Sequence, residues 1–421
     1  MIIPFHVTEM LRRVQRKFST PDDKKRLQPR SDTHSPFRPV RSATRASVLR
    51  YWKRLAADVE TQNALADEET LATAEKYSAN IESFIGTVKM PIGLVGPLRI
   101  NGVNASGDYA VPLATTEAAL VASYARGALA ASRAGGVSTA VLYEGVLRSP
   151  AFIFDGLYQA GQFVDWVVTN IDALKAAAEA TTRYGKLVSL EPMIDNNIVF
   201  LLCRYTTGDA AGQNMVTIAT HALCEHAAAH CPVAIKKWYV EGNFSGDKKA
   251  SSLGTLTGRG RKVSASVTLP ADVVESVLKT NVREMLDYGR VANLGSLLSG
   301  QLGAQAHYAN GLAALYIATG QDAACVAESA VGFTRMESRG DDLFCSVTMP
   351  NILVGSIGGG TGLPSQSASL RVMGLDGPGN GAALAEVAAA LCLCGEISIV
   401  AAMSAGHFTN AHEKLARRRG A

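Results

Sequence analysis

The loop from Glu241 to Lys249 holds the residues whose types and spacing are best suited to chemistry. Two glycines and an asparagine lie within its first six residues, which indicates irregular backbone. Asp247, Lys248 and Lys249 follow at its tip. A carboxylate beside two ammonium groups is poorly suited to packing and points to a polar site, although such a triplet is also typical of a solvated surface. The assignment therefore depends on what the rest of the chain places nearby.

Three further titratable residues, Glu117, Asp322 and His407, lie in Gly/Ala/Ser/Thr-rich settings that allow close approach. Glu117 is expected in the first turn of a helix over about 116–132, where a carboxylate also complements the helix dipole. Asp322 follows an apolar helix, where it is either an ordinary turn residue or the partner of a cation. His407 follows a glycine and can instead cap a helix end. With Lys248 they form a candidate set of four polar side chains.

Composition excludes several classes of protein. The 421 residues carry a net charge of +4, but residues 1–50 hold twelve Lys/Arg and four Asp/Glu, so the remainder is mildly acidic and no nucleic-acid surface is expected. No apolar run is long enough to predict a membrane span or a membrane partner. Seven scattered cysteines indicate free thiols in a reducing compartment, and we expect a cytoplasmic protein.

The order of predicted elements gives an α+β fold. Residues 1–45 are interpreted as a basic, partly disordered arm and residues 46–85 as a small helical region. Residues 150–240 show the order βαββαβ, which predicts an inserted ferredoxin-like domain. Residues 86–149 and 241–421 then form the large domain, with strands at 262–268 and 343–349.

Three long helices are predicted in the large domain. They cover about 271–287, 291–318 and 381–407, and the second is nearly uncharged, so it should be buried on all sides. Cys392 and Cys394 lie in the third and are expected to pack in the core, because residues two apart face different sides of a helix. His226 and His230 lie four apart in a helix of the small domain, but the HExxH pattern is absent and no metal site is expected.

These motifs, in this order, resemble the hydroxymethylglutaryl-CoA (HMG-CoA) reductase family, in particular its class I-like soluble catalytic domain. The matching segments span about residues 47–412. They are Glu82–Gly86, Thr115–Glu117, Gly208–Met215, Gly242–Lys249, Gly320–Asp322, Ile357–Thr361 and Gly406–His407. The resemblance implies a large acyl-CoA domain around a long central helix, a small NADP(H) domain, and a homodimer or dimer of dimers with active sites at the subunit interface.

The resemblance implies NADPH-dependent, four-electron reduction of HMG-CoA to mevalonate and CoA. Lys248 matches the family lysine that stabilises the oxyanion formed when hydride adds to the thioester. His407 matches the histidine that protonates the departing CoA thiolate. Glu117 matches the glutamate that supplies a proton to the aldehyde, a role that requires burial or a neighbouring like charge. Asp322 matches the aspartate that contacts both the lysine and the glutamate.

The resemblance also assigns residues to the ligands. Five residues match positions near the acyl group: Arg148, Glu241, Asp247, Lys249 and Asn310. Eight residues match the dinucleotide site: Thr182, Arg183, Tyr184, Asp209, Asn214, Gly358, Gly359 and Gly360. Among these, the Arg183 guanidinium is suited to the 2′-phosphate, which favours NADPH over NADH.

Departures from the family pattern leave two alternatives open. Glu241 stands where the family has a serine that touches the acyl carboxylate, and a glutamate would repel that carboxylate unless it is protonated or turned away. Ala211 and Gln213 replace methionines of the cofactor groove. The same chemistry on a different acyl thioester is therefore one alternative. A non-catalytic homologue that binds acyl-CoA or a protein is the other, although retention of the four catalytic positions argues against it.

Overall fold

The computed structural model describes residues 5–17 and 39–406. Helix α1, Phe5–Lys17, begins the described chain. The arm predicted to be partly disordered therefore contains a helix in this segment. Its sequence explains the helix, because Val7, Met10 and Leu11 recur at helical spacing while Arg12 and Arg13 occupy the other side. The remainder of the predicted arm up to residue 38 lies outside the described residues.

The predicted helical region contains three short helices. They are α2 (Arg45–Leu55), α3 (Val59–Leu65) and α4 (Glu68–Ala72), followed by a 3₁₀ turn at Ala74–Tyr77. Each helix begins behind a side chain that accepts a backbone N–H, namely Thr44, Asp58 and Asp67. A small core around Trp52 and Phe84 packs them together. The helical prediction for residues 46–79 is confirmed.

A long hairpin and a helix come next. Strand β1 (Ile92–Gly102) pairs antiparallel with β2 (Ser106–Ala114), and α5 (Leu120–Arg133) leads into β3 (Val137–Arg148). The predicted start of α5 at residue 116 is wrong, because Ala119 has a left-handed backbone (φ 69°) and the helix begins only after it. Glu117 therefore lies in the turn before the helix, where its N–H donates to Thr115 Oγ1 over 3.0 Å.

Residues 151–239 follow the predicted order of elements, with the first helix divided at Asn170. The elements are β4 (Ala151–Ile153), α6 (Leu157–Thr169), α7 (Ile171–Glu179), β5 (Lys186–Asp195), β6 (Ile198–Thr206), α8 (Gln213–His230) and β7 (Lys237–Tyr239). Their strands lie in the order β7, β4, β6, β5, and all neighbours are antiparallel. Strand β6 also pairs with β3, which makes this sheet continuous with the main one.

The remaining elements build the main sheet and the helices on it. They are α9 (Ser252–Thr257), β8 (Gly260–Leu269), α10 (Ala271–Val273), α11 (Val282–Ser299), β9 (Gly303–Ala304), α12 (Tyr308–Thr319), α13 (Val326–Ser329), β10 (Gly332–Arg339), β11 (Asp342–Ile352), α14 (Pro364–Met373) and α15 (Gly381–Ser404). The main sheet has the order β3, β8, β11, β10, β9. A π-helical turn at Val274–Leu278 follows α10.

The single helix predicted over residues 291–318 is wrong. The chain instead forms α11 and α12, separated by β9. Gly300 (φ 74°) ends α11 in the left-handed region, and Gly303 (φ 86°) continues into β9, which pairs with Gly332 of β10. The predicted helix at 271–287 is likewise divided, at Lys279 (φ 61°). The break between α11 and α12 occurs because Gly300 and Gly303 adopt left-handed backbone, which glycine does easily, within an otherwise apolar helical pattern.

Helix α15 is the centre of the core. Among the described residues it is the one helix long and apolar enough to cross a membrane, and 83% of its apolar window is buried inside the protein. It packs against α5 so closely that a Cβ at Gly127 would overlap the Cys394 carbonyl. Cys392 and Cys394 are both buried in the core, as predicted.

Glu386 is a fully buried carboxylate on α15. Its oxygens accept hydrogen bonds from the backbone N–H groups of Asn104 (3.0 Å), Ala105 (2.9 Å) and Val141 (3.2 Å). The Asn104 amide (2.7 Å) and the Thr139 hydroxyl (2.9 Å) also donate to it. One side chain therefore ties the core helix to the β1–β2 turn and to β3.

We expect Glu386→Ala to lower the free energy of unfolding by about 2–4 kcal/mol, because it leaves several buried N–H groups without an acceptor. Urea denaturation followed by circular dichroism measures the change. Glu275→Ala, at an exposed position, is the control and should leave the midpoint nearly unchanged. Equal midpoints for the two variants would show that this network does not stabilise the fold.

Candidate active site

Lys248 is held by an ion pair at the tip of the 241–249 loop. Its Nζ lies 2.8 Å from Oδ2 of Asp322, and the two side chains are 43% and 45% exposed. The hydrogen bond that the Lys248 ammonium donates to Asp322 raises the pKa of Lys248, so the ammonium form is favoured. The predicted contact between this lysine and a carboxylate of the chain is present.

The backbone around Asp322 orients its carboxylate towards Lys248. Gly320 ends α12 in the left-handed region (φ 72°), and the chain then turns into a 3₁₀ helix at Ala323–Cys325. Oδ1 of Asp322 accepts the N–H of Ala324 over 3.0 Å, which leaves Oδ2 for Lys248. The carboxylate is thus both the cap of a short helix and the partner of a cation.

Glu117 lies in a second cluster, with Asn310. The Asn310 amide donates to both Glu117 carboxylate oxygens, over 3.1 and 3.2 Å. Glu117 is exposed, so one chain alone does not supply the burial that its predicted role requires. Asn310, predicted near the acyl group, instead contacts the glutamate directly.

The two clusters lie at opposite ends of α12. Asn310 is in the first turn of this helix, whereas Asp322 follows its last turn, and nine residues of helix span about 14 Å. Within residues 39–406, no hydrogen bond or ion pair joins Glu117 to Lys248 or Asp322. The predicted contact between Asp322 and Glu117 is therefore not made inside a single chain.

Arg148 contacts two of the other residues predicted to bind the acyl group. It ends β3 with its guanidinium buried, and Nη1 lies 3.3 Å from Oε2 of Glu241 and 3.1 Å from Oδ2 of Asp247. The Glu241 oxygen also accepts the N–H of Ser149 over 3.3 Å. Glu241 is thus turned towards Arg148 within the protein. Lys249 is exposed and donates to the Asp247 carbonyl over 2.8 Å.

Asp247 is flanked by two guanidinium groups. Burial acts to raise the pKa of Asp247, but Arg259 and Arg148 outweigh it, and the pKa lies below its ordinary value. Asp247 Oδ1 lies 2.9 Å from Nη2 of Arg259. The carboxylate beside Lys248 therefore stays ionised and holds the two arginines together.

The sequence did not identify Arg259 and Glu328 as part of the site. Both are buried, with Arg259 Nη1 lying 2.6 Å from Glu328 Oε1. A signal was present in each case, because Arg259 lies between two glycines after a run of small residues and Glu328 is a lone charge in an apolar segment. Such buried charges require partners, but the sequence alone does not say which.

A cavity of about 650 Å³ opens beside Glu117. Its lining includes Arg126, Tyr288, His307 and Asn310. His307 Nδ1 lies 3.2 Å from Oε1 of Glu396, a buried carboxylate on α15 that also accepts the His307 backbone N–H. The volume is in the range of small-molecule sites, and the sequence analysis did not predict this group of residues.

The predicted cofactor residues lie around the beginning of α8. Asn214 is exposed in its first turn, and Gly212 precedes the helix without any side-chain cap. The backbone N–H groups at such an end, with the positive end of the helix dipole, suit phosphate. Asp209 is different, because its carboxylate accepts the N–H groups of Gly379 (2.7 Å) and Gly381 (3.0 Å) and so caps α15.

The turn at 182–184 lies beside the same helix end. Thr182 Oγ1 accepts the N–H groups of Tyr184 (3.2 Å) and Gly185 (3.0 Å), and Arg183 and Tyr184 are exposed. A Cβ at Gly185 would press against the Met215 sulfur in the first turn of α8. Arg183 is therefore placed on the surface next to an uncapped helix N-terminus, a combination that fits the phosphates of NADPH.

The glycine run also borders this region. Ile357 forms a parallel bridge with Ala210, and the Ser356 N–H donates to the Asp209 carbonyl over 2.9 Å. Gly358 and Gly359 are exposed, whereas Gly360 packs on the backbone of Gly320. The predicted cofactor segments thus converge on one side of the molecule, and the last of them lies close to the turn that carries Asp322.

The remaining predictions concern histidines. His407 lies outside the described residues, and α15 ends at Ser404 rather than at the histidine. His226 and His230 stack on each other with ring centres 4.1 Å apart. Within residues 5–17 and 39–406, no group of three or more His, Cys, Asp or Glu side chains is placed to hold a metal ion.

Comparisons with known proteins agree on one family. The hydroxymethylglutaryl-coenzyme A reductase profile matches residues 44–417. The 3-hydroxy-3-methylglutaryl-coenzyme A reductase of Methanothermobacter thermautotrophicus is 42% identical over 344 residues, which are 80% of this chain and 85% of that protein. The enzyme of the same name from Aeropyrum pernix is 42% identical over 82% of this chain and 83% of its own length.

A solved structure supports the fold. The class II reductase of Streptococcus pneumoniae, in a structure bound to NADPH, superposes with a TM-score of 0.62 at 18% identity and covers 84% of this chain and 86% of its own. At this identity the likeness concerns the α+β fold alone. With the profile match and the relatives at about 40% identity, the chain belongs to the hydroxymethylglutaryl-coenzyme A reductase family and is an oxidoreductase.

Proposed function

We propose that this chain reduces HMG-CoA to mevalonate and CoA with NADPH, and that Lys248 is the residue at the centre of the reaction. The observation that carries the proposal is the ion pair of 2.8 Å between Lys248 and Asp322, beside the buried Arg148. A cation held at a partly exposed loop tip can face a substrate carbonyl. The family membership supplies the substrate class.

Lys248 acts on the charge that develops at the substrate. NADPH supplies the hydride for each of the two reductions. Hydride addition to the thioester carbonyl leaves an oxyanion, which the Lys248 ammonium stabilises. The contact with Asp322 raises the pKa of Lys248, so the ammonium form persists to higher pH than for an unpaired lysine. Asp322 holds the ammonium in place and does not itself touch the carbonyl.

Two further residues are proposed to move protons. Collapse of the hemithioacetal releases an aldehyde and the CoA thiolate, and His407 protonates the thiolate. Glu117 donates a proton to the aldehyde oxygen during the second reduction. The hydrogen bonds from Asn310 fix the Glu117 carboxyl at the mouth of the 650 Å³ cavity, which we propose holds the arm of the acyl-CoA.

The cofactor is proposed to bind around the beginning of α8. Arg183 and the uncapped helix end would hold the phosphates, and the exposed glycines at 358 and 359 would let the chain approach closely. Thr182, Tyr184 and Asn214 line the same region. We also propose that residues 150–240 form the small NADP(H)-binding domain and that the chain is of the class I-like type. The seven unpaired cysteines support a cytoplasmic location.

A second candidate substrate follows from Glu241. Its carboxylate and that of Asp247 both contact Arg148, so much of the positive charge of this guanidinium is already neutralised. A less acidic acyl group than that of HMG-CoA would lose less from this arrangement. The second candidate is therefore the same reduction on an acyl thioester without a free carboxylate.

The active site is proposed to be completed by a second copy of the chain. The second half of α11 falls in the segment 291–318 predicted to be buried on all sides. It instead exposes an apolar stripe at Val291 (67%), Leu294 (59%), Leu297 (81%) and Leu298 (79%). Ala292 and Ser296 of the same helix line the cavity beside Glu117. A second copy on this stripe would cover apolar surface and lie next to Glu117, where its own Lys248 could complete the site.

The catalytic assignment is tested by steady-state kinetics with HMG-CoA and NADPH. We expect Lys248→Ala to lower kcat by about 10²–10³-fold, the usual effect of losing one oxyanion donor. Lys53→Ala, at an exposed position on α2, is the matched control. Turnover of another acyl thioester but not of HMG-CoA would support the second candidate. Wild-type kcat in Lys248→Ala would contradict the role of the lysine.

The oligomer is tested by sedimentation velocity. We expect Leu297→Glu to shift the protein from dimer towards monomer, because it places a charge within a buried apolar contact. Val88→Glu, which also replaces an exposed apolar residue, should sediment like the wild type. A wild-type dimer that tolerates Leu297→Glu would show that a different surface forms the interface.

A further inference from the structure

Lys248 has an unusual backbone conformation. Its φ angle is 57°, in the left-handed region that residues other than glycine rarely adopt. Such a conformation is strained and persists only where the surrounding structure enforces it. Gly246, two residues earlier, is also left-handed (φ 72°), but glycine adopts this conformation without strain. The structure must therefore contain contacts that hold the loop at the lysine.

Arg259 supplies such a contact from beneath the loop. Its side chain is 2% exposed, and Nη2 lies 2.9 Å from Oδ1 of Asp247, the residue immediately before Lys248. The same nitrogen donates to Oε1 of Gln213 at the start of α8, over 2.7 Å. The guanidinium thus reaches the loop and a helix of the small domain from a single buried position.

Glu328 anchors the other side of this guanidinium. Nη1 of Arg259 donates to both Glu328 oxygens, over 2.6 and 2.7 Å, and the Glu328 side chain is 2% exposed. Burial raises the pKa of Glu328, while Arg259 and the backbone N–H of Lys248 oppose the shift. Each partner therefore neutralises the buried charge of the other, and removing either one would leave an unpaired charge in the core.

Glu328 also lies near Asp322 in the chain. The two are six residues apart, across the 3₁₀ turn at 323–325 and the short helix α13. One segment therefore carries the carboxylate that contacts the Lys248 ammonium and the carboxylate that anchors the arginine beneath the loop. The ammonium and the loop backbone are therefore both held by the segment 322–328, which fixes the position of one relative to the other.

We propose that Arg259 and Glu328 are positioning residues for Lys248, holding Asp247 from below so that the lysine keeps its left-handed backbone and directs its ammonium to Asp322 and the substrate. This inference rests on the proposed catalytic role of Lys248. Replacing the pair should misplace the ammonium without removing it, which lowers kcat more than it changes the KM for NADPH.

Two variants test the inference. Arg259→Lys keeps a positive charge but cannot reach Glu328, Asp247 and Gln213 together, and Glu328→Gln keeps the shape but removes the anchoring charge. We expect each to lower kcat by about 10–100-fold, the effect of a small misplacement. Loss of the Asp322 contact removes the largest of the causes that raise the pKa of Lys248, so the alkaline limb of the kcat profile should move to lower pH.

The matched control is Glu386→Gln, another buried carboxylate that accepts several hydrogen bonds but touches no residue of the loop. It should lower the unfolding midpoint while kcat and its pH profile stay unchanged. Glu328→Gln with the same behaviour would reduce the role of Glu328 to stability and overturn the inference.

Crystal structures of the two variants give a readout that does not need turnover. We expect Lys248 to leave the left-handed region and its Nζ to move beyond about 4 Å from the Asp322 carboxylate, the limit of an ion pair. An unchanged Lys248 in both structures, with wild-type kcat, would overturn the positioning role and leave the proposed function standing. Absence of HMG-CoA turnover in the wild type would instead contradict the proposed function, and the structures would still decide the positioning role.

Discussion

The ion pair between Lys248 and Asp322 joins two segments that are more than seventy residues apart in the chain, and the candidate site depends on it. Both side chains are nearly half exposed, so the pair adds little to the stability of the fold. Its effect is to fix the direction of the ammonium. The raised pKa of Lys248 is the electrostatic consequence, and the left-handed backbone at this residue is the conformational requirement.

Next to this exposed pair lies a line of charges of alternating sign, formed by Glu241, Arg148, Asp247, Arg259 and Glu328. The two arginines and Glu328 are buried, and the other two carboxylates are partly exposed. Removing charges from water costs several kcal/mol for each ion, so such a line is an inefficient way to stabilise a core. The charges instead hold the loop in one conformation, which is useful if the loop carries a catalytic group. The same line explains why Glu241 is compatible with a site for an acidic substrate, since its carboxylate faces Arg148 rather than the solvent.

The sequence predicted the parts of the fold that depend on local pattern. The strands, the central helix α15 and the order of elements in residues 151–239 follow from hydrophobic periodicity and turn residues. It failed where a single backbone conformation interrupts that pattern, as at Ala119 before α5 and at Gly300 after α11. For the site, the family resemblance supplied Lys248 and Asp322, but the contacts of Arg259 with Glu328 and of Glu241 with Arg148 join residues about 70 to 90 positions apart. No local pattern encodes such a pairing. The sequence also did not predict the exposed apolar stripe on α11, which we propose a second copy of the chain covers.

Glu117 and Lys248 belong to clusters at opposite ends of α12, and we propose that they meet across two copies of the chain. Subunit exchange between Glu117→Gln and Lys248→Ala proteins tests it directly, because a mixed dimer would hold one site with both substitutions and one site with neither. With random exchange, NADPH oxidation with HMG-CoA should recover to about one quarter of the wild-type rate, since half the dimers are mixed and each has one intact site. Mixed dimers that form, as detected by mass spectrometry, but show no more activity than the separate variants would contradict the account.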